Sequence, residues 1–224
     1  MAAVPASQPE PFGCAFCQQP LEGRLAPHLC GSCGRSQPLQ ASSDYFTALD
    51  APKRFAQDVG ALEKRFYELS RALHPDRFGQ QREAQKQSLE RMSWLNQAYS
   101  TLKNVDERRA YLLEVEGLGI ESSQEGAKSG ASKVPMPMEL AEAWFELQDA
   151  LTEDPATARA KVNEFESQLQ ETFRSAHSEV SALETDYDRA PRREPLEELR
   201  KKLLVLNYLK SLQRDLGRVR DRLK

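Results

Sequence analysis

Most of what would mark an enzyme, a membrane protein or a nucleic-acid binder is missing from this chain. Its 224 residues hold no G-x-x-x-x-G-K-[ST] phosphate loop, no H-E-x-x-H pair and no G-x-S-x-G nucleophile turn, so no catalytic activity of its own is expected. Aromatic residues make up only 8% and the formal net charge is -3, which argues against nucleic acid as a partner. No stretch approaches the apolar length of a membrane span. Met1 to Gly13 lacks both a basic start and an apolar signal core, and with Glu10 present and no Arg before Arg24 it is unlike an Arg-rich, acid-poor mitochondrial presequence. A bacterial-type cytoplasm is the expected location, with the mitochondrial matrix second. Cysteine is absent after Cys33.

What is present is charge, at 29% of residues, and helical periodicity, in a chain long enough for one to three modest domains. Val59, Leu62, Phe66, Leu69 and Leu73 are spaced three, four, three and four apart and predict one amphipathic helix, N-capped by Asp58. Pro75 disfavours the α-region for His74, so that helix should end near Leu73. Leu89, Met92, Leu95, Tyr99 and Leu102 predict a second helix, leaving His74-Pro75-Asp76 at the tip of an antiparallel hairpin with His74 and Asp76 facing outward. By itself the tripeptide reads first as an ordinary interhelical turn, in which Pro and Asp do local work. Lys64, Arg65 and Arg71 lie off the apolar stripe and form a small basic surface, or simply a solvated face balanced by Glu63 and Glu68.

All four cysteines lie within twenty residues, as Cys14-Ala-Phe-Cys17 and Cys30-Gly-Ser-Cys33 with twelve residues between the pairs. Two such knuckles are a zinc signature: four thiolates form a tetrahedron, and Gly31 and Gly34 suit the turns. A segment this short has no adequate apolar core, so one structural zinc ion would supply most of its folding free energy. Disulfides, a redox dithiol and an iron–sulfur centre are the alternatives; a reducing compartment disfavours the first and the Pro-rich flanks offer no βαβ frame for the second. His28, between the knuckles, is expected to be an exposed loop residue.

The Gly/Ser-rich run from Glu121 to Lys133 marks a flexible connection. Beyond it three helices are expected: Met138 to Thr152; one reaching about Thr185, with Val162, Phe165, Leu169, Phe173, Ala176, Val180 and Leu183 on one face; and one from Pro195 almost to Lys224. Breaks at Asp154-Pro155 and from Asp186 to Pro195 permit an antiparallel three-helix bundle. Leu140, Trp144, Leu147 and Leu151 form the core face of the first, leaving Met138, Ala141 and Phe145 as a second stripe. In the last, Val205, Tyr208 and Leu212 lie away from the Leu199–Leu203–Leu206 line. Such extra stripes suit a binding groove or a contact with the preceding domain.

Around the tripeptide, Asp44-Tyr45-Phe46, Arg65-Phe66-Tyr67-Glu68-Leu69, Arg77-Phe78 and Leu95-Asn96-Gln97-Ala98-Tyr99 resemble the J domain of DnaJ-type co-chaperones. With Arg109-Ala110-Tyr111-Leu112-Leu113, the match narrows to HscB-type J proteins, which serve iron–sulfur cluster assembly. The resemblance implies a mostly α-helical protein: a tail and zinc module (1–40), a J domain (44–120), a linker (121–134) and a client-binding helical bundle (135–224). It implies that Lys64, Arg65 and Arg71 dock on a DnaK/HscA-class chaperone and that His74, Pro75 and Asp76 trigger ATP hydrolysis there. It also places Ala141, Glu142, Phe145 and Tyr208 at contact positions for the iron–sulfur scaffold protein, with Met138, Trp144, Val205 and Leu212 beside them. Ala141 and Glu142 depart from the larger apolar residues usual in that family. A J protein with a different client, or a zinc-dependent adaptor with an inactive J loop, are the competing expectations.

Overall fold

The computed structural model describes residues 13–23, 25, 27–38, 43–78, 82–119, 137–153 and 155–223. The expected tail up to residue 12 and the linker at 121–134 lie outside them. Helices are α1 (Tyr45–Ala48), α2 (Val59–Ala72), α3 (Arg82–Lys103), α4 (Val105–Val115), α5 (Met138–Glu153), α6 (Pro155–Arg189) and α7 (Arg193–Arg222), with one 3-10 turn at Pro75–Phe78. The architecture is mostly α, as expected. The chain divides into two compact units, Met1–Lys53 with Gln57–Arg109 and Arg54–Ala56 with Ala110–Lys224.

In the first unit α3 packs against α1, α2 and the 3-10 turn. Asp58 caps α2 by accepting from Ala61 N–H at 3.0 Å, and Leu73 closes its C-terminus through Leu69 O. Leu62, Leu69 and Leu73 are buried as predicted, whereas Val59 is exposed because it lies in the first turn. Phe66 stacks on Tyr99 with ring centroids 4.5 Å apart, joining α2 to α3.

The stripe on α3 differs from the prediction. Its buried positions are Ser88, Arg91, Leu95, Ala98 and Leu102, and Leu89 is 58% exposed. Two polar residues hold the core register because each has a carbonyl partner: Ser88 Oγ donates to Leu73 O and Arg91 to Gln37 O and Pro38 O.

In the second unit α6 packs against both α5 and α7. Ala158, Val162, Phe165, Leu169, Ala176, Val180 and Tyr187 are its buried positions. That stripe carries the helix past the expected break at Asp186: Tyr187 is buried, and Asp188 accepts from the backbone N–H groups of Phe55 and Ala56 at 2.8 Å each. The turn between α6 and α7 is therefore confined to residues 190–192. Leu209 and Leu212 join the expected leucines of α7 in the core. Gly217 sits inside α7 with open space where a Cβ would point. Gly217→Ala is expected to stabilise the bundle by about 1 kcal/mol, read as a higher urea midpoint at unchanged slope.

Candidate functional site

The two cysteine turns are built alike. Cys14 N–H donates to Gln19 O and Gln18 N–H to Cys14 O; Cys30 N–H donates to Arg35 O and Gly34 N–H to Cys30 O. The equivalent fourth positions, Gln18 and Gly34, both take left-handed backbone, at φ 62° and 68°. Gly34 suits that conformation and Gln18 adopts it at some cost; Gly31, expected to serve the turn, has no such φ. The turns bring all four Sγ atoms within 4.8 Å of one another, Cys14 and Cys33 at 3.6 Å and Cys17 and Cys30 at 3.7 Å.

Those separations match the edge of a tetrahedron with metal–sulfur bonds of 2.3 Å, which is about 3.8 Å. A disulfide requires sulfurs about 2.0 Å apart, and all four thiols are free. The electrostatics also favour a cation. Burial opposes ionisation of Cys14, yet hydrogen bonds from the backbone of Cys17 and Phe16 bring it down to about 6. A backbone hydrogen bond at Gln19 favours the Cys17 thiolate, but burial and the neighbouring thiols push that group up to about 12. Four sulfurs this close ionise together only around a positive charge. The residues therefore fit a single tetrahedral metal ion.

His28 is not the exposed loop residue expected from sequence. It is fully buried, and its Nε2, 2.9 Å from Ala48 O, must carry the proton because a carbonyl only accepts. Burial, with the charges of Arg91 and Arg65, lowers it to about 4 against the hydrogen bond to Ala48, so the ring is neutral. His28 thus fastens the cysteine module to the end of α1. Arg91 fastens it to α3, one helical turn from the Ser88 that holds Leu73 O beside the tripeptide. Neither Arg91 nor Ser88 was expected in the core, although stepping back four and then three from Leu95 along its own register reaches them.

The tripeptide is placed as predicted. His74 and Asp76 side chains are 55% and 89% exposed, with His74 Nδ1 3.5 Å from Asp76 Oδ2, at the start of the 3-10 turn. The basic residues behind it separate into two kinds. Lys64 and Arg71 are exposed and line a shallow groove with Tyr67 and Glu68. Arg65 is turned inward, 10% exposed, and paired with Asp50 at 2.5 Å and Glu68 at 3.2 Å, so its charge serves the fold. Tyr67, more than half exposed between Lys64 and Arg71, was not predicted.

On α5, Met138 and Phe145 are 76% and 68% exposed, and Ala141 is partly exposed. Trp144 is half-buried, its ring 5.2 Å from that of Phe165 on α6. On α7, Val205 and Tyr208 are half-buried, but Leu212 is 5% exposed and belongs to the core. Its side chain offers no surface to a partner, because the 206–209–212–216 spacing turns it inward with its neighbours.

No family model matches the chain. Over 147 residues it is 33% identical to the Mus musculus iron–sulfur cluster co-chaperone protein HscB, a match covering 64% of this chain and 62% of that protein. Over 83 residues it is 43% identical to the co-chaperone protein HscB of Proteus mirabilis, covering 37% of this chain and 48% of the other. The matches thus span less than two thirds of either relative. The crystal structure of human co-chaperone protein HscB shares the fold, with a TM-score of 0.62 at 23% identity over 92% of this chain and 96% of that one. The helical hairpin presents His-Pro-Asp at an exposed tip, and in this the chain is similar to J-domain proteins. The sequence similarity to these HscB co-chaperones extends well beyond the hairpin.

Proposed function

We propose that this protein stimulates the ATPase of a DnaK/HscA-class chaperone and delivers an iron–sulfur cluster scaffold protein to it. The observation that carries the reading is the exposure of both working surfaces: an acid–imidazole tip on a rigid hairpin, and bare apolar side chains on a separate helix of the bundle. Lys64 and Arg71, flanking Tyr67, supply the charge for docking on the ATPase, which mainly raises association rate and specificity; Arg65 supports them by holding α2 to the loop at Asp50. His74, Pro75 and Asp76 then engage the partner, and the hydrolysis occurs there rather than on this chain.

The scaffold, carrying its cluster as cargo, is held by Met138, Ala141 and Phe145 on α5 with Val205 and Tyr208 on α7, and Trp144 backs the patch from inside. Exposed aromatics of this kind are typical interface anchors. The division into zinc module (1–40), J domain (44–120), linker (121–134) and client-binding bundle (135–224) is the frame we propose. We assign the four thiols one structural zinc, which would hold the module folded. No helix among the described residues is long and apolar enough to cross a membrane; a bacterial-type cytoplasm is the proposed site of action, with no nucleic-acid partner.

Steady-state hydrolysis by a matched chaperone tests this: the rate should rise with the protein and rise further when scaffold is added. For the patch, Phe145→Ala/Tyr208→Ala is expected to weaken scaffold binding by about thirtyfold or more in titration calorimetry, because truncating interface anchors costs about 2 kcal/mol or more in all. Phe145→Ala alone, at an exposed position, should change thermal stability little. Equal scaffold affinity in the double variant would remove this surface from the assignment.

A further inference from the structure

Gln37 lies outside both cysteine turns, yet its side chain reaches the metal site. Its Oε1 accepts from Ala15 N–H at 2.9 Å, and this settles which way the amide faces, since only the oxygen can accept there. The Nε2 hydrogens therefore point the other way, toward Arg35 O at 3.0 Å and Cys14 Sγ at 3.4 Å. Among the described residues this is the one side-chain amide hydrogen bond to any of the four sulfurs. The main chain of Gln37 is pinned on both sides: its N–H donates to His28 O at 2.8 Å and its carbonyl accepts from Arg91 Nε at 2.6 Å. Both Gln37 and Arg91 are 3% exposed, so water does not compete for these bonds.

We propose that Gln37 is a positioning residue for the bound metal ion, donating to the Cys14 thiolate and held in register by Arg91 of α3. The proposal rests on the reading of the four thiols as a metal site. An N–H donor at a buried thiolate sulfur stabilises its negative charge and fixes the direction of its lone pairs, so loss of the donor weakens the grip on the ion. The same bond makes the site depend on a helix of the J domain.

The test uses the full chain loaded with cobalt(II), whose thiolate charge-transfer band reports on sulfur directly. Gln37→Glu keeps the acceptor for Ala15 N–H and the side-chain size but sets a charged oxygen where the donor was. It is expected to lose metal to a competing chelator at about one tenth of the wild-type chelator concentration or less, within the range found for partners of metal ligands. The charge-transfer band should move to longer wavelength, because the sulfur electrons are no longer held down by the hydrogen bond. Gln37→Met, which lacks the donor without adding charge, should shift the band in the same direction by less, and it carries the test if the Glu variant fails to fold. Wild-type band position and wild-type chelator resistance in a folded variant would overturn the role of Gln37. A wild-type chain that takes up no cobalt would overturn the metal site itself, and the role of Gln37 with it.

Discussion

His74→Gln is expected to bring the stimulation of a matched DnaK/HscA-class ATPase down to the chaperone's basal rate, with and without scaffold, while leaving the protein folded and still able to bind scaffold. The loss should be complete because the tip has no substitute: α2 ends at Ala72, Pro75 starts a 3-10 turn, and His74 is the residue presented between them. Its contacts are local, to Asp76 N at 3.4 Å and Asp76 Oδ2 at 3.5 Å, and its side chain is more than half exposed. Replacement at such a position changes stability by about 0.5 kcal/mol or less. Circular dichroism and scaffold affinity should therefore match wild type. Stimulation that survives the substitution would show that the tripeptide is only a turn, and the proposed mechanism would fail.

Stripping the metal should have the largest effect on stability. Without a cation the four thiols cannot all ionise at their observed spacing, and the cysteine module has almost no apolar core of its own. Its collapse would remove the partners of two buried groups in the first unit, leaving Arg91 without the carbonyls of Gln37 and Pro38, and Ala48 O without His28. Orphaning a buried charge costs about 3 kcal/mol or more, which in a unit of roughly one hundred residues is a drop of about 10 °C or more in melting temperature. Trp94 is the natural reporter, lying 6.2 Å from the His28 ring and beneath Arg91 at 5.7 Å. Chelator should lower the Trp94 transition, Cys30→Ser should reproduce the loss, and added zinc should restore the wild type only. An unchanged transition would mean that the module rides on the helical hairpin without supporting it.

The legible features were those whose causes are local. Asp58 capping Ala61 N–H, the stop of α2 before Pro75, and the Leu199–Leu203–Leu206 line all follow from neighbours within a few positions. Two C-x-x-C turns imply a four-sulfur cluster because a ligand pair closes each turn by itself. The misreadings share a different cause. Apolarity points to Leu89 and Met92, whereas Ser88 and Arg91 are each admitted to the core by a carbonyl distant in sequence. His28 has the same explanation, its partner lying twenty residues on at Ala48. Arg65 has the same explanation, since the partner that turns it inward is Asp50, fifteen residues back.

The sequence by itself therefore determined the two hairpin helices, the outline of the three bundle helices, the Asp58 cap, the exposed tripeptide and the sulfur set, since periodicity, proline sterics and ligand spacing act over single turns. Only the tertiary structure decided which polar groups are buried and what they hold together. A buried hydrogen bond is worth having only when both partners arrive, and here one partner comes from the cysteine module and the other from α1 or α3. That long-range pairing is what makes the metal site and the hairpin bearing His74 parts of one folded unit.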